Sequence, residues 1–138
     1  MGSMPPVLTA LEGNGRTVRL LEDYSARVLR RFGCENEYAV GTITVPAGFR
    51  TDFASVPRAL WSILPPWGKY SPAAVVHDWL YYCGMYPRVV ADEIFLFLME
   101  RVGVSWWKRR IMYRAVRTFG GVAWRKHRKG RGPHGETM

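Results

Sequence analysis

Several features that would place this chain in a familiar class are missing. No apolar run approaches the roughly 20 residues that a membrane-spanning helix needs, and the mean hydropathy is -0.14. The N-terminus has no charged-then-apolar signal pattern. Two cysteines, Cys34 and Cys83, are too few for a disulfide framework and are interpreted as ordinary thiols. These absences predict a soluble protein made in the cytosol, with no signal peptide and no transmembrane helix.

Familiar catalytic motifs are also missing. The chain has no Gly-x-Ser-x-Gly, no Cys-x-x-Cys, no His-Glu-x-x-His and no phosphate-binding loop. Of its three histidines, His127 and His134 fall in the basic C-terminal segment, and only His77 falls in a predicted buried element. A zinc site needs more nitrogen and sulfur ligands than this. His77 is therefore the histidine that the sequence singles out as a candidate catalytic residue.

Acidic residues are nearly absent from the C-terminal segment. Residues 101–138 hold 11 of the 20 lysines and arginines and a single acid, Glu136, whereas residues 1–100 hold 9 basic and 10 acidic residues. The chain is thus a near-neutral body with a cationic end. Such an end binds nucleic acid, an anionic membrane or an acidic protein. The alternative is a solvated helix face followed by a frayed tail.

The composition that is present predicts a buried core. Of the 138 residues, 48% are hydrophobic and 14% aromatic, which excludes disorder of the whole chain and suits one domain. We predict a flexible arm over residues 1–15, a single α+β domain over 16–124 and a basic flexible tail over 125–138.

Hydrophobic periodicity predicts a small antiparallel sheet followed by about four helices. The strands cover residues 17–21, 26–30 and 38–45, and alternation in the last places Val40 and Ile43 on opposite faces. The helices cover residues 57–64, 72–82 and 88–102, and Ser105 caps a fourth. The central two form an antiparallel hairpin around Gly84.

A histidine–aspartate pair interrupts the most apolar of these helices. His77 and Asp78 are adjacent, and a buried charge costs several kcal/mol unless it is paired. A hairpin turn between residues 84 and 85 places Asp92 opposite His77. An aspartate that orients one ring nitrogen leaves the imidazole as a general base, so His77 and Asp92 are the candidate catalytic residues.

Asp78 points about 100° away from His77 around the helix. With Asp52, in a turn-rich loop that exposes carbonyl oxygens, it forms a candidate metal site, and Ca²⁺ prefers such oxygen ligands. A carboxylate-bound metal beside a histidine base activates water. The alternative is a buried polar network that fixes helix packing, with Asp78 paired to Arg58 or Arg88 and Asp52 as a helix cap.

Three segments closely resemble a family of small phage and prophage proteins catalogued as a domain of unknown function. They are VPAGFRTDFASVPR (45–58), AAVVHDWLY (73–81) and ADEIF (91–95), and the similarity covers about residues 17–124. The resemblance implies a phage-encoded accessory or virion-associated protein. Its partners would be phage structural or assembly proteins. Its location would be the bacterial cytoplasm during phage production, with incorporation into the virion as a further expectation.

The stretch His77-Asp-Trp-Leu-Tyr81 is similar to the His-Asp-x-x-Tyr stretch of secreted and parvoviral phospholipases A2. In the viral enzymes an Ala-Asp-x-x-Phe segment follows, as Ala91 to Phe95 does here. The resemblance implies His77 as general base, Asp78 as calcium ligand and Asp92 as the orienting partner. The calcium loop and the disulfides of those enzymes have no counterpart. The alternative function is therefore a calcium-assisted hydrolase of lipid or other esters at an envelope.

The segment after Ser105 interleaves aromatic residues with arginines. Helical spacing predicts that Ile111, Ala115 and Phe119 face the body. The opposite edge suits docking to a phage protein, an anionic membrane surface or a nucleic-acid backbone with stacking. The alternative is that the tryptophans only close the core. The candidate partner-binding residues are Trp106, Lys108, Arg109, Arg110 and Arg117.

Overall fold

Five short strands precede four α-helices in this fold, so the predicted α+β class is confirmed. The computed structural model describes residues 4–13, 17–33, 38–53, 56–63 and 70–129. The strands are β1 (Thr9–Leu11), β2 (Val18–Leu20), β3 (Tyr24–Phe32), β4 (Tyr38–Val45) and β5 (Arg50–Thr51). The helices are α1 (Ser71–Cys83), α2 (Arg88–Arg101), α3 (Trp106–Phe119) and α4 (Gly121–Lys129).

The strands form two antiparallel sheets, so the predicted single three-stranded sheet is wrong. One sheet has the order β1-β2-β5, and the other is the β3-β4 hairpin. The chain turns back at Gly48, where φ is 89°, and its amide donates to the carbonyl of Leu20. This turn pairs β5 with β2. β1 and the buried Met4 lie in the segment that was predicted to be a flexible arm.

A register shift in β3 changes which side chains of β4 are buried. Between Arg27 and Arg30 the pairing with β4 slips by one residue, and Leu29 has a φ of 47°. An extra residue in one strand lets both strands keep apolar side chains on the core side. Val40 and Ile43 are therefore both buried. The prediction that they lie on opposite faces was wrong, because strict alternation assumes an unbroken ladder.

Helices α1 and α2 form the predicted antiparallel hairpin and hold the centre of the core. Nine of the 13 residues of α1 are buried. The helix ends at Gly84, which adopts the left-handed conformation (φ 65°) and donates its amide to the carbonyl of Leu80. Such a glycine cap reverses the chain without a Cβ clash. α2 packs between α1 and α3.

The predicted helix over residues 57–64 is wrong in extent. Only Arg58–Leu60 are helical, as a single 3-10 turn, and none of the three is buried. Residue 64 lies outside the described residues. Most helical stability in proteins comes from packing of an apolar face, and this segment has no buried face to propagate a longer helix.

Helix α4 occupies the start of the predicted flexible tail. It reaches Lys129, whereas the sequence placed flexible chain from residue 125. Arg128 explains the order, since its guanidinium donates to the carbonyls of Tyr81 (3.0 Å) and Tyr82 (2.7 Å) at the end of α1. It also lies 4.7 Å over the ring of Trp124. Residues 130–138 lie outside the described part of the chain.

The core-facing side of α3 is not the predicted one. Ile111 is 39% exposed and Phe119 is 61% exposed, whereas Met112 and Val116 are fully buried. The two faces are only about 100° apart on a helix, and packing against α2 selects between them. Among the described residues, no helix is both long and apolar enough to cross a membrane.

Candidate functional site

His77 and Asp92 meet at the centre of the helical half. The hairpin of α1 and α2 brings the His77 Nε2 atom to 2.7 Å from Asp92 Oδ1, as the turn position predicted. Both side chains are 0% exposed. The His77 ring stacks on Phe95, with 4.3 Å between centroids, and lies 4.4 Å from the ring of Tyr81. The pair is therefore enclosed by aromatic side chains.

The carboxylate of Asp92, on α2, accepts hydrogen bonds from α1 and α3 and lies close to a third cation on its own helix. The hydroxyl of Tyr81, on α1, donates to Oδ1 at 2.7 Å. Arg117, on α3, donates to Oδ2 at 2.7 Å, and Arg88 lies 3.6 Å from the same atom, one turn before Asp92 on α2. A buried charge is tolerated when its hydrogen-bonding capacity is met in this way. The Asp92 network, as we call His77, Tyr81, Arg88, Asp92 and Arg117, thus joins α1, α2 and α3.

Two pKa shifts set the protonation states of Asp92 and Tyr81. Burial by itself raises the pKa of Asp92, but hydrogen bonds from His77, Tyr81 and Arg117 outweigh it and hold the pKa below its ordinary value. Burial, followed by the neighbouring negative charge of Asp92, raises the pKa of the Tyr81 hydroxyl. Asp92 is consequently ionised at neutral pH and Tyr81 remains a neutral donor.

Catalysis and packing make different demands on His77. A general base must come within hydrogen-bond reach of a proton on its substrate, directly or through one water. The imidazole here faces Asp92, Phe95 and Tyr81 inside the core. This geometry favours the alternative interpretation, a polar network that fixes helix packing. The catalytic roles of His77 and Asp92 remain predictions.

Asp78 connects α1 to the N-terminal strands. Its side chain is 6% exposed and accepts a hydrogen bond from the hydroxyl of Thr51, at the end of β5. The Thr51 oxygen in turn accepts from the amide of Phe53, at 2.9 Å, where φ is 59°. Arg88, one of the two cations expected beside Asp78, lies instead at Asp92. Asp78 therefore fastens the loop after β5 to α1.

The two candidate metal ligands, Asp52 and Asp78, line one small cavity. Asp52, which is exposed, and Asp78 line a cavity of about 50 Å³ together with Tyr82 and His127. Within the described ranges, no three side chains among His, Cys, Asp and Glu are arranged to hold a metal ion. The structure thus brings the two predicted carboxylates to one cavity, and the calcium ion that the phospholipase resemblance implies stays a prediction.

The outer surface of α3 and of the start of α4 is apolar and cationic at once. Trp106 and Trp107 are 62% and 53% exposed, and Val122 is 66% exposed. Arg110 lies 5.5 Å over the ring of Trp106, and Lys108 lies 5.7 Å over that of Trp107. The basic face, as we call this surface, consists of Trp106, Trp107, Lys108, Arg110, Ile111, Arg114, Phe119, Val122 and Arg125.

The predicted partner-binding residues divide between this surface and the interior. Trp106, Lys108 and Arg110 belong to the basic face. Arg109 instead donates a hydrogen bond to the carbonyl of Val104 (3.0 Å), and Arg117 donates to the carboxylate of Asp92. The reason is that their positions on α3 flank the buried stripe that packs on α2.

Sequence reasoning missed most partners of Asp92. Arg88 carried a detectable signal, because residues four apart on a helix are neighbours. Tyr81 lies four residues after His77 and shares its face of α1, which is a weaker signal. Arg117 carried none, since it comes from another helix, 25 residues away.

Comparison with known proteins identifies a family. Residues 26–116 match the family described as protein of unknown function DUF1353. A relative, "Uncharacterized protein y4jT" of Sinorhizobium fredii (strain NBRC 101917 / NGR234), is 42% identical over 80 residues. The match covers 55% of this chain and only 23% of the relative. No solved structure matches the chain significantly.

Proposed function

Because this chain belongs to the DUF1353 family, whose function is unknown, we propose its role from its own geometry. It is a non-catalytic accessory protein that uses the basic face to bind an acidic surface of another protein. The Asp92 network serves as the scaffold that holds α3 in place. The motifs that resemble phage and prophage proteins support a phage structural or assembly protein as the partner.

The observation that carries this proposal is the exposure of large apolar side chains among cations. Five of the ten exposed large hydrophobic residues in the described ranges lie on the basic face: Trp106, Trp107, Ile111, Phe119 and Val122. Contiguous apolar surface on a soluble domain is typical of interaction sites. Tryptophan and arginine are also the residues most enriched in the energetic centres of protein interfaces.

Charge complementarity favours an acidic partner. From residue 101 to residue 129 every charged residue is basic. A protein surface with carboxylates and apolar groups satisfies both components of the basic face. An acidic surface also accelerates association through electrostatic steering.

The arrangement of the basic face separates a protein from the other two anionic partners. A membrane-surface helix keeps its apolar and cationic residues on separate sides, whereas here both are interleaved on the outer side. Nucleic acid binds arginine through its backbone and stacks its bases on aromatic side chains. It makes few favourable contacts with exposed aliphatic side chains such as Ile111 and Val122. A protein surface that carries both carboxylates and apolar side chains can contact the arginines, the aromatic residues and the aliphatic residues of the basic face.

The experiment measures binding of a fluorescent acidic peptide with leucines at helical spacing. Double substitution Trp107→Ser/Ile111→Ser is expected to weaken binding about tenfold or more, which corresponds to about 1.4 kcal/mol. Leu8→Ser is the matched control, because Leu8 is half exposed on the other half of the molecule, and it should leave binding unchanged.

Three competing probes decide the partner class. Oligo-glutamate of equal charge should bind more weakly than the leucine-containing peptide, and so should single-stranded DNA and phosphatidylglycerol vesicles. Tighter binding to DNA or to vesicles would contradict the proposal, as would an unchanged affinity in the Trp107→Ser/Ile111→Ser variant.

A further inference from the structure

A groove lies between the end of β3 and the outer sides of α2 and α3. Its volume is about 450 Å³, within the range of about 300–1,000 Å³ that is typical of ligand sites. Arg30 comes from β3, Leu96 and Phe97 from α2, and Arg110 and Tyr113 from α3. All these positions fall within the part of the chain that matches the family. Arg110 makes the groove continuous with the basic face.

Two arginines of the groove are held by aromatic rings. The guanidinium carbon of Arg30 lies 4.8 Å from the ring centre of Phe32 and 5.3 Å from that of Phe97. Arg110 is held in the same way over Trp106. Among residues 4–13, 17–33, 38–53, 56–63 and 70–129, neither guanidinium forms an ion pair with a carboxylate. Stacking orients the planar donor fork, which matches a carboxylate bidentately.

The part of the groove on α2 carries two glutamates, Glu93 and Glu100. Glu93 accepts a hydrogen bond from the backbone N–H of Gly33, with 2.9 Å between nitrogen and oxygen. Glu100 is mostly exposed and lies 4.0 Å from Arg109. Between them, Leu96 and Phe97 supply the apolar part of the groove. The groove thus carries arginines from β3 and α3, and two glutamates from α2 with an apolar part between them.

The length of the groove fits a short stretch of extended chain. Positions 93, 96, 97 and 100 share one side of α2 and span about 10 Å at 1.5 Å per residue. An extended polypeptide covers the same distance with about three residues.

We propose that this groove binds an extended segment of the partner protein in which an acidic side chain stands next to an apolar one. The acidic side chain pairs with Arg30 and Arg110, and the apolar side chain packs on Leu96 and Phe97. The carboxylate of Glu100 accepts a backbone N–H of the segment. This inference rests on the proposed function, because it names the part of the partner that enters beside the basic face.

The two glutamates of the groove are the reason to choose a polypeptide over a nucleic acid. A phosphate backbone carries negative charge at every step, and Glu93 and Glu100 would repel it along the whole groove. A polypeptide offers both N–H donors for the glutamates and a carboxylate for the arginines. Single-stranded DNA is therefore a competing probe in the test.

The test titrates a short blocked peptide with the core Asp-Leu-Glu and follows backbone amide NMR shifts of the full chain. We expect shifts at Leu96, Phe97 and Tyr113, and an affinity about tenfold lower for the Asn-Leu-Gln peptide. Arg30→Gln should weaken binding of the acidic peptide to a similar extent. Arg27→Gln is the matched control, because Arg27 lies on the same strand outside the groove, and thermal unfolding verifies that both variants fold.

The outcomes separate this inference from the proposed function. If Arg30→Gln binds the peptide normally, or if DNA shifts the same amides at lower concentration, the groove proposal is overturned. If Trp107→Ser/Ile111→Ser still loses binding of the longer peptide, the proposed function stands without the groove. Loss of binding in Arg30→Gln with no loss in Arg27→Gln supports the groove.

Discussion

Asp92 is the residue on which the helical half depends. Its carboxylate is fully buried and accepts from His77, Tyr81 and Arg117, with Arg88 close by. Each donor comes from a helix that must be correctly placed for the bond to form. The side chain therefore reports on the packing of three helices at once.

Asp92→Asn is expected to lower the free energy of unfolding by about 3–5 kcal/mol. The amide keeps the shape but loses the negative charge, so Arg117 and Arg88 are left near a buried neutral group. Urea unfolding followed by tryptophan fluorescence measures the change. Glu22→Gln, on the exposed surface, is the control and should stay within about 0.5 kcal/mol.

The pH dependence of unfolding gives an independent check on the same carboxylate. The folded pKa of Asp92 lies below its unfolded value, so its contribution is fully present above the ordinary aspartate pKa of about 4. As the pH falls below 4 and through the folded pKa, this contribution is lost. Wild type should lose more stability than Asp92→Asn over this range. Parallel curves for the two proteins would contradict the assignment.

At the scale of secondary structure, α4 is the element whose order is least secure. It has nine residues, which is too short for a stable isolated helix. Of its described side chains only Ala123 is buried, and Arg128 joins it to the end of α1. Arg128 is therefore one of the few side chains that dock α4, together with Trp124, whose ring packs edge-on against Tyr81.

Arg128→Gln is expected to undock α4 while the rest of the domain stays folded. Hydrogen exchange of the amides of α4 should rise toward unprotected rates, while amides of α1 and α2 keep their protection. Arg125→Gln removes the same charge from an exposed position on the same helix and should change little. Retained protection in Arg128→Gln would show that Trp124 and Ala123 suffice to dock α4.

Across the whole molecule, a few polar links join the strands to the helices. Thr51 donates to Asp78 on α1, the amide of Gly33 donates to Glu93 on α2, and Arg101 donates to the carbonyl of Arg27. The apolar core runs through both halves. The strands and helices are thus expected to unfold together.

Asp78→Asn is expected to lower the thermal midpoint by about 3–8 °C. The amide of Asn accepts the hydrogen bond from the Thr51 hydroxyl less strongly than a carboxylate does. The free energy of unfolding therefore falls by about 1–2 kcal/mol. Scanning calorimetry with millimolar Ca²⁺ or with EDTA should give the same midpoint for wild type. A calcium-dependent rise in wild type that is absent in Asp78→Asn and reduced in Asp52→Asn would contradict this and support a metal site.

The placement of the site was partly predictable. The hairpin around Gly84 placed Asp92 opposite His77 because both helices pack along their length, and a turn then determines which residues face each other. The sheet was less predictable, because the bulge near Leu29 and the pairing of β5 with β2 depend on contacts between distant segments. The role of Arg117 depended on the position of α3.

The sequence by itself determined the α+β class, the central hairpin and the separation of charge, since these follow from composition and local periodicity. Only the tertiary structure decided which side of α3 is buried, which arginines turn inward to Asp92 and which remain on the basic face. It also decided that residues 125–129 are helical. Each of these outcomes depends on a partner far away in the chain, and a pattern of neighbouring residues carries no information about that partner.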